Sequence, residues 1–279
     1  MRNANLNTAG ILNASVQLTL RAASPWMGVL WITALPLRLL QVYFAFQLLL
    51  LSEPQFYLYY LWRLSTLVFA AFIVSLYGRA VYVRACYYAG NSAVESKFEA
   101  LKVPLSDFIP YVYTALINEF FFYLTLFTIV MWPPFIVYGG LAAATSYGIG
   151  GPKMIGAPLN AFKISWTSFW ALAGISLVFF FGMIMALINL YFLIVIALKL
   201  GGGILGSALP RWEYIFEPGP LGLLPKQPLT YALLVVGASL IVEPFWLAAN
   251  VDLVQRVRAR KSGEDLQLWF QEIKKEAAQ

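Results

Sequence analysis

The stretch that decides the fold is 228–261, PLTYALLVVGASLIVEPFWLAANVDLVQRVRARK. Its apolar part carries three strongly polar residues, Glu243, Asn250 and Asp252. An apolar run of about 20 residues is long enough to cross the ~30 Å hydrocarbon core of a bilayer. A basic cluster follows at once: Arg256, Arg258, Arg260 and Lys261. Because such a cluster resists translocation, we expect a final membrane span with a basic, membrane-surface tail on the cytoplasmic side.

The composition of the whole chain indicates a membrane protein. Of the 279 residues 61% are hydrophobic and only 11% are charged, with a mean hydropathy of +0.73. A soluble domain has about 25% charged residues. The net charge of +6 comes from Lys and Arg beside apolar stretches, which is typical of topology determinants rather than of a nucleic-acid surface. We therefore predict an all-α polytopic bundle with the bilayer as its partner and no nucleic acid.

The chain has no histidine and a single cysteine, Cys86. Histidine-ligated haem, chlorophyll or zinc is therefore excluded, as are a histidine general base and an intrachain disulfide. We predict no cofactor and no metal, and bound lipid is compatible with the composition. The first apolar run starts near Trp26 and is too long for the core of a cleavable signal.

The predicted domain organisation has three parts: a cytoplasmic amino-terminal segment, 1–25, a six-span membrane domain, 26–256, and a cytoplasmic basic and amphipathic tail, 257–279. The charged segment 78–108 reads as a cytoplasmic amphipathic segment between spans 2 and 3. The candidate spans are 26–51, 57–77, 109–131, 135–149, 166–200 and the stretch that starts at 228.

Charge bias decides the number of spans. The short segment 135–149 is rich in small residues, so it either crosses the membrane or re-enters from one side. With six spans, fourteen of the nineteen Lys and Arg lie on the cytoplasmic side and three outside, whereas five spans give nine against eight. The positive-inside rule therefore favours an even number. We expect a bacterial inner-membrane protein with both termini in the cytoplasm.

Four ionisable residues lie inside the predicted spans: Arg38, Arg63, Glu119 and Glu243. Each costs about 2.5–3.5 kcal/mol at a helix centre on the insertion scale. The set is neutral overall, so it can form interhelical ion pairs that fix the register of the bundle; alternatively, it lines a proton or substrate path. The next residue after Glu243 is Pro244, which lacks a backbone donor and leaves a carbonyl open to a partner or water.

The loop 201–227 alternates aromatic and charged residues. It is either an interfacial segment resting on lipid headgroups or an outer loop that binds a protein partner through Trp212, Tyr214 and Phe216. On α-helical spacing, Gly182 and Ala186 are suited to close helix packing. The chain shows no phosphate-binding glycine loop, no zinc-protease motif and no nucleophile elbow.

Two motifs resemble a known family. In RVRARKSGEDL, the residues Arg258, Arg260, Lys261, Gly263, Asp265 and Leu266 match the end of the last span in bacterial six-span proteins. The segment from Ala161 to Trp166, AFKISW, is similar to the entry into the fifth span of the same family. These proteins look like the membrane domain attached to some glycerophosphodiester phosphodiesterases. The resemblance implies a six-helix bundle with a cytoplasmic basic tail and brings no catalytic residues, because the phosphodiesterase barrel is absent.

The functional prediction is a non-enzymatic integral membrane scaffold or accessory subunit of a larger inner-membrane assembly, with other membrane subunits as partners. It depends on the lack of a catalytic motif and on a 16% content of aromatic residues, which suit packing against proteins or lipids. The alternative is a small transporter or permease that uses Arg38, Arg63, Glu119 and Glu243.

Overall fold

The computed structural model describes residues 8–50, 54–90, 101–126, 156–205 and 228–262. These residues are α-helical except for a short connection at 101–104, which begins with a 3₁₀ residue, and a turn at Ser168. The helices are α1 Thr8–Leu50, α2 Pro54–Gly90, α3 Leu105–Leu126, α4 Gly156–Thr167, α5 Phe169–Leu205 and α6 Pro228–Ser262. The prediction of an all-α fold is confirmed for the described residues.

Four helices contain a segment that is long and apolar enough to cross a membrane. These segments are Trp26–Tyr43, Ser65–Ala89, Phe169–Gly201 and Thr230–Val257. Helix α3 contributes only a shorter apolar stretch, Leu105–Ile117, within the residues described. The six predicted spans are therefore not confirmed, and the predicted segment 135–149 lies outside the described residues.

The four long helices exceed the thickness of a bilayer. They have 43, 37, 37 and 35 residues, and even the shortest is ~52 Å long at 1.5 Å per residue. A hydrocarbon core of ~30 Å covers about 20 of those residues. Each helix consequently has turns outside the hydrocarbon, where its side chains need another environment.

Two predicted boundaries fall inside continuous helices. Helix α1 begins at Thr8 and continues without a break from the predicted cytoplasmic segment 1–25 into the first apolar segment. Helix α2 continues to Gly90, past the predicted start at 78 of the cytoplasmic amphipathic segment, which is not confirmed. Residues 80–83 and Cys86 are buried and Arg79 and Arg84 are only partly exposed, so protein surrounds this part of α2 despite its charges.

The segment predicted as one helix, 166–200, is interrupted near its start. Helix α4 ends at Thr167 and α5 begins at Phe169. The Thr167 hydroxyl donates to the carbonyl oxygens of Lys163 at 2.9 Å and Ile164 at 3.2 Å, and such back-bonding bends helices. Backbone bonds from Ser168 to Ile164 and from Leu172 to Ser168 bridge the turn.

The chain forms two compact units, and each long helix contributes to both. Unit 1 comprises Met1–Leu30, Tyr77–Leu177 and Pro244–Gln279; unit 2 comprises Trp31–Leu76 and Val178–Glu243. In unit 1, α3 packs against α4. Helix α5 also approaches the start of α1 closely, since a Cβ at Gly174 would lie 2.9 Å from Thr8 Oγ1. Only glycine fits at position 174 without a shift of Thr8.

The core of unit 2 is formed where α5 packs against α6. Leu187, Tyr191, Leu234 and Ala238 are buried together there. A Cβ at Gly237 would lie 3.2 Å from Leu190 Cδ1, so the two helices approach closely at this point. Large apolar side chains cover the other side of α5 and are exposed, among them Phe181, Met185, Leu193 and Ile196. A wide exposed apolar face of this kind is typical of a helix that faces lipid or another membrane helix.

A tryptophan of α1 takes the place of the backbone donor that Pro244 lacks. In α6 the carbonyl of Leu240 would accept from residue 244, and proline has no N–H. Trp31 Nε1 donates to the Leu240 oxygen at 2.8 Å. The expected open carbonyl therefore has a partner, and it joins α1 to α6 in unit 2.

This contact predicts a specific energetic coupling. Replacing Trp31 by Phe in the native chain should cost about 1–3 kcal/mol, because the Leu240 carbonyl loses its donor. In a Pro244→Ala background the same replacement should cost clearly less, since residue 244 then supplies a backbone N–H. Unfolding in detergent mixtures followed by far-ultraviolet circular dichroism measures both differences. Equal costs in the two backgrounds would contradict the role of Trp31.

Candidate functional site

The second half of α6 is enclosed by the rest of unit 1. All eleven residues of 247–257 are buried, so no side of the helix faces solvent or lipid over three turns. A helix surrounded in this way is normally apolar all round. Here four of the eleven positions are polar: Asn250, Asp252, Gln255 and Arg256. We call these four residues the α6 polar group.

The centre of the α6 polar group is an ion pair. Arg256 Nε lies 2.5 Å from Asp252 Oδ2, one helical turn earlier, and both side chains are almost fully buried. Arg256 Nη2 also donates to the carbonyl oxygen of Gly10 in α1 at 3.2 Å. An isolated charge would be very costly in this environment, and a hydrogen-bonded pair compensates for that cost. The pair thereby fixes the start of α1 against α6.

The remaining members of the α6 polar group contact backbone carbonyls. Gln255 Nε2 reaches the carbonyl of Tyr87 in α2 at 3.5 Å, which is a long hydrogen bond. Asn250 Nδ2 donates to the carbonyl of Trp246 in its own helix at 2.8 Å. The group therefore links α6 to two other helices, α1 through Arg256 and α2 through Gln255.

Further polar contacts connect α2 to its surroundings in unit 1. The Tyr82 side chain of α2 is fully buried in this region. Near the end of α2, Arg84 Nη1 donates to the carbonyl of Lys102 at 2.7 Å, and its guanidinium lies 5.3 Å from the Tyr88 ring. These contacts hold the 101–104 connection against the helix.

Unit 2 contains a second ion pair, on α1 and α6. Arg38 Nη2 lies 3.8 Å from Glu243 Oε2, and Arg38 Nη1 donates to Gln41 Oε1 at 3.1 Å. The Glu243 side chain is 9% exposed and that of Arg38 is 26% exposed. Both residues lie in candidate membrane spans, where pairing lowers the cost of each charge.

These polar contacts join helices to one another. Each described ion pair joins one cation to one anion, and Trp31, Gln255 and Arg256 donate to carbonyl oxygens of other helices. No set of three or more His, Cys, Asp or Glu suited to a metal occurs within the described ranges. The arrangement can set the register and separation of helices α1, α2 and α6.

The structure brings together two of the four intramembrane residues that the sequence singles out. Arg38 and Glu243 meet, as the ion-pair interpretation requires. Arg63 lies on α2 and Glu119 on α3, and their side chains are outside the described part. The predicted outer-loop residues Trp212, Tyr214 and Phe216 also lie outside it.

The structure separates Arg256 from the rest of the predicted basic tail. Arg256 was placed on the membrane surface, but it is buried against Asp252. Arg260 is exposed, as expected, and helix α6 continues through Arg258 and Lys261 to Ser262. The sequence signal that identifies the buried pair is the i, i+4 spacing of Asp252 and Arg256 inside an apolar run.

Comparison with known proteins gives no relatives: no family model, curated protein or solved structure matches this chain. The resemblance to the phosphodiesterase-associated membrane domain therefore stays a prediction.

Removal of one partner of the buried pair should destabilise the protein strongly. Asp252→Ala leaves the Arg256 charge buried without its anion, so we expect a loss of about 3–5 kcal/mol. The double variant Asp252→Leu, Arg256→Met should be much less affected, because no charge is then left unpaired. The matched control is Arg260→Ala, an exposed position on the same helix, with an expected change within about 0.5 kcal/mol.

Unfolding of the three variants in detergent mixtures measures these differences. Two outcomes would contradict the role of the buried pair. One is an Asp252→Ala variant that is as stable as Arg260→Ala, and the other is a double variant that is the least stable of the three.

Proposed function

We propose that the chain is a non-enzymatic integral membrane scaffold or accessory subunit of a larger protein assembly in a bacterial inner membrane. The observation that supports this proposal is that the described polar groups make contacts within the helix bundle. The Asp252–Arg256 pair, its contact with Gly10 and the Trp31 bond to Leu240 all connect one helix to another or to its own next turn. Such contacts hold the helices in one arrangement, which presents a defined surface to partner proteins. In this proposal any catalysis belongs to those partners.

The exposed face of α5 supports the same proposal. Its candidate span Phe169–Gly201 is the most apolar of the four and the least buried within the chain. Aromatic residues contribute to that face, including Phe181 and Phe192. In membranes, helices associate by close van der Waals packing and occasional polar contacts. Helix α5 is therefore suited to contact other membrane subunits and bound lipids.

The proposed orientation has both termini in the cytoplasm. Among the described residues, unit 1 contains nine Lys and Arg. Unit 1 includes the beginning of α1 and the end of α6. The positive-inside rule favours the cytoplasmic side for these two basic helix ends.

The alternative function is a small transporter, in which the Arg38–Glu243 pair forms part of the path of a proton or substrate. That function requires the pair to face water across the membrane. The low exposure of Glu243 and its position 3.8 Å from Arg38 support the assembly role instead.

Purification from native membranes tests the proposal. The tagged chain, extracted in a mild detergent or in polymer-bounded bilayer discs, should bring down other membrane proteins at a fixed stoichiometry, as measured by quantitative mass spectrometry. An equally tagged Asp252→Ala chain is the control, because loss of the unit 1 core should release those partners. A native chain that carries no other protein in stoichiometric amount would contradict the scaffold function.

A further inference from the structure

The outward face of α5 carries one strongly polar side chain. In 178–198, VFFFGMIMALINLYFLIVIAL, the residues that can form side-chain hydrogen bonds are Asn189 and Tyr191. Tyr191 is buried in the core of unit 2, whereas Asn189 is exposed. The Asn189 amide makes no hydrogen bond to any residue that the structure describes.

The position of Asn189 makes its exposure unfavourable in lipid. It lies four residues from the middle of the span Phe169–Gly201, about 6 Å along the helix axis. A carboxamide near the bilayer centre has no water to bond with, and lipid tails offer no donor or acceptor. Asn189 therefore needs a polar partner from outside the described part of the chain.

The residues around Asn189 form a surface that another helix can approach. Gly182 and Ile196 lie seven residues before and after Asn189, and Met185 and Leu193 lie four residues away on either side, so all five share one face. We call this the Asn189 face. Its large side chains are exposed, and a Cβ at Gly182 would meet no atom within 4 Å. Ala186, predicted to act with Gly182, packs instead towards the α5–α6 core.

We propose that the Asn189 face binds the same face of a second copy of this chain within the membrane. A carboxamide has both donors and an acceptor, so two Asn189 side chains related by a twofold axis can satisfy each other. The face has no charge that would select a different partner, and the open surface at Gly182 permits close approach of two backbones. This self-association is independent of the scaffold function.

Cysteine cross-linking in liposomes tests the face. Cys86 is the only cysteine, so Cys86→Ala gives a background in which single cysteines can be placed. Met185→Cys and Leu193→Cys should give disulfide-linked dimers under mild oxidation. The matched controls are Phe180→Cys and Ile184→Cys, which are also exposed on α5 but lie towards the opposite side of the helix. Equal cross-linking at both sets, or none at the first, would overturn the proposal.

Substitution of Asn189 tests the polar contact itself. Dimer dissociation in liposomes, measured by energy transfer between labelled copies at increasing lipid content, should weaken by about 3- to 30-fold in Asn189→Leu. Asn189→Gln retains both donor and acceptor and should recover part of the affinity. Because the position is exposed, Asn189→Leu should leave the unfolding of the monomer unchanged.

An Asn189→Leu dimer as strong as the native one would overturn the proposal. So would cross-linking of 185 or 193 in native membranes to a different protein instead of a second copy. The liposome experiments use the purified chain alone, so a negative result there contradicts only self-association. A failure to find partner proteins in native membranes contradicts only the scaffold function.

Discussion

The buried ion pair of Asp252 and Arg256 is the interaction on which unit 1 depends. Both groups lie on a helix whose surroundings are protein on every side. A charge there is stable only if its counterion and its remaining donors are satisfied within the protein. Arg256 meets this requirement through Asp252 on its own helix and Gly10 on α1. The contact with Gly10 therefore couples the burial of this pair to the docking of α1.

Polar groups of unit 2 must also find partners within the protein. Pro244 removes one backbone bond from α6, and the indole of Trp31 replaces it from α1. Arg38 and Glu243 neutralise each other on the same two helices. The open Leu240 carbonyl and the Glu243 carboxylate of α6 are thus points at which α1 binds. Such points specify one arrangement of helices where apolar packing alone would tolerate several.

Much of the helical architecture could be predicted from the sequence. The apolar runs identify the four long helices, and the balanced charges of Arg38, Arg63, Glu119 and Glu243 indicate interhelical pairing without specifying which residues meet. The extent of α2 could not be predicted, because the charges of Arg79 and Arg84 suggest a cytoplasmic segment unless the burial of the residues between them is known. Arg256 was grouped with the basic tail for a similar reason. Enclosure of α6 by other helices is a tertiary property, and the local sequence contains only the spacing of Asp252 and Arg256.

The central claim is that the second half of α6 is enclosed within the protein. Single cysteines at Ala248, Val251, Val254 and Val257, in a Cys86→Ala background, should resist a membrane-permeant maleimide in the native state, whereas Arg260→Cys should react rapidly. Reaction at all five positions after denaturation confirms that each thiol is intact. Rapid native labelling at any one of the four inner positions, on any side of the helix, would contradict the enclosed core.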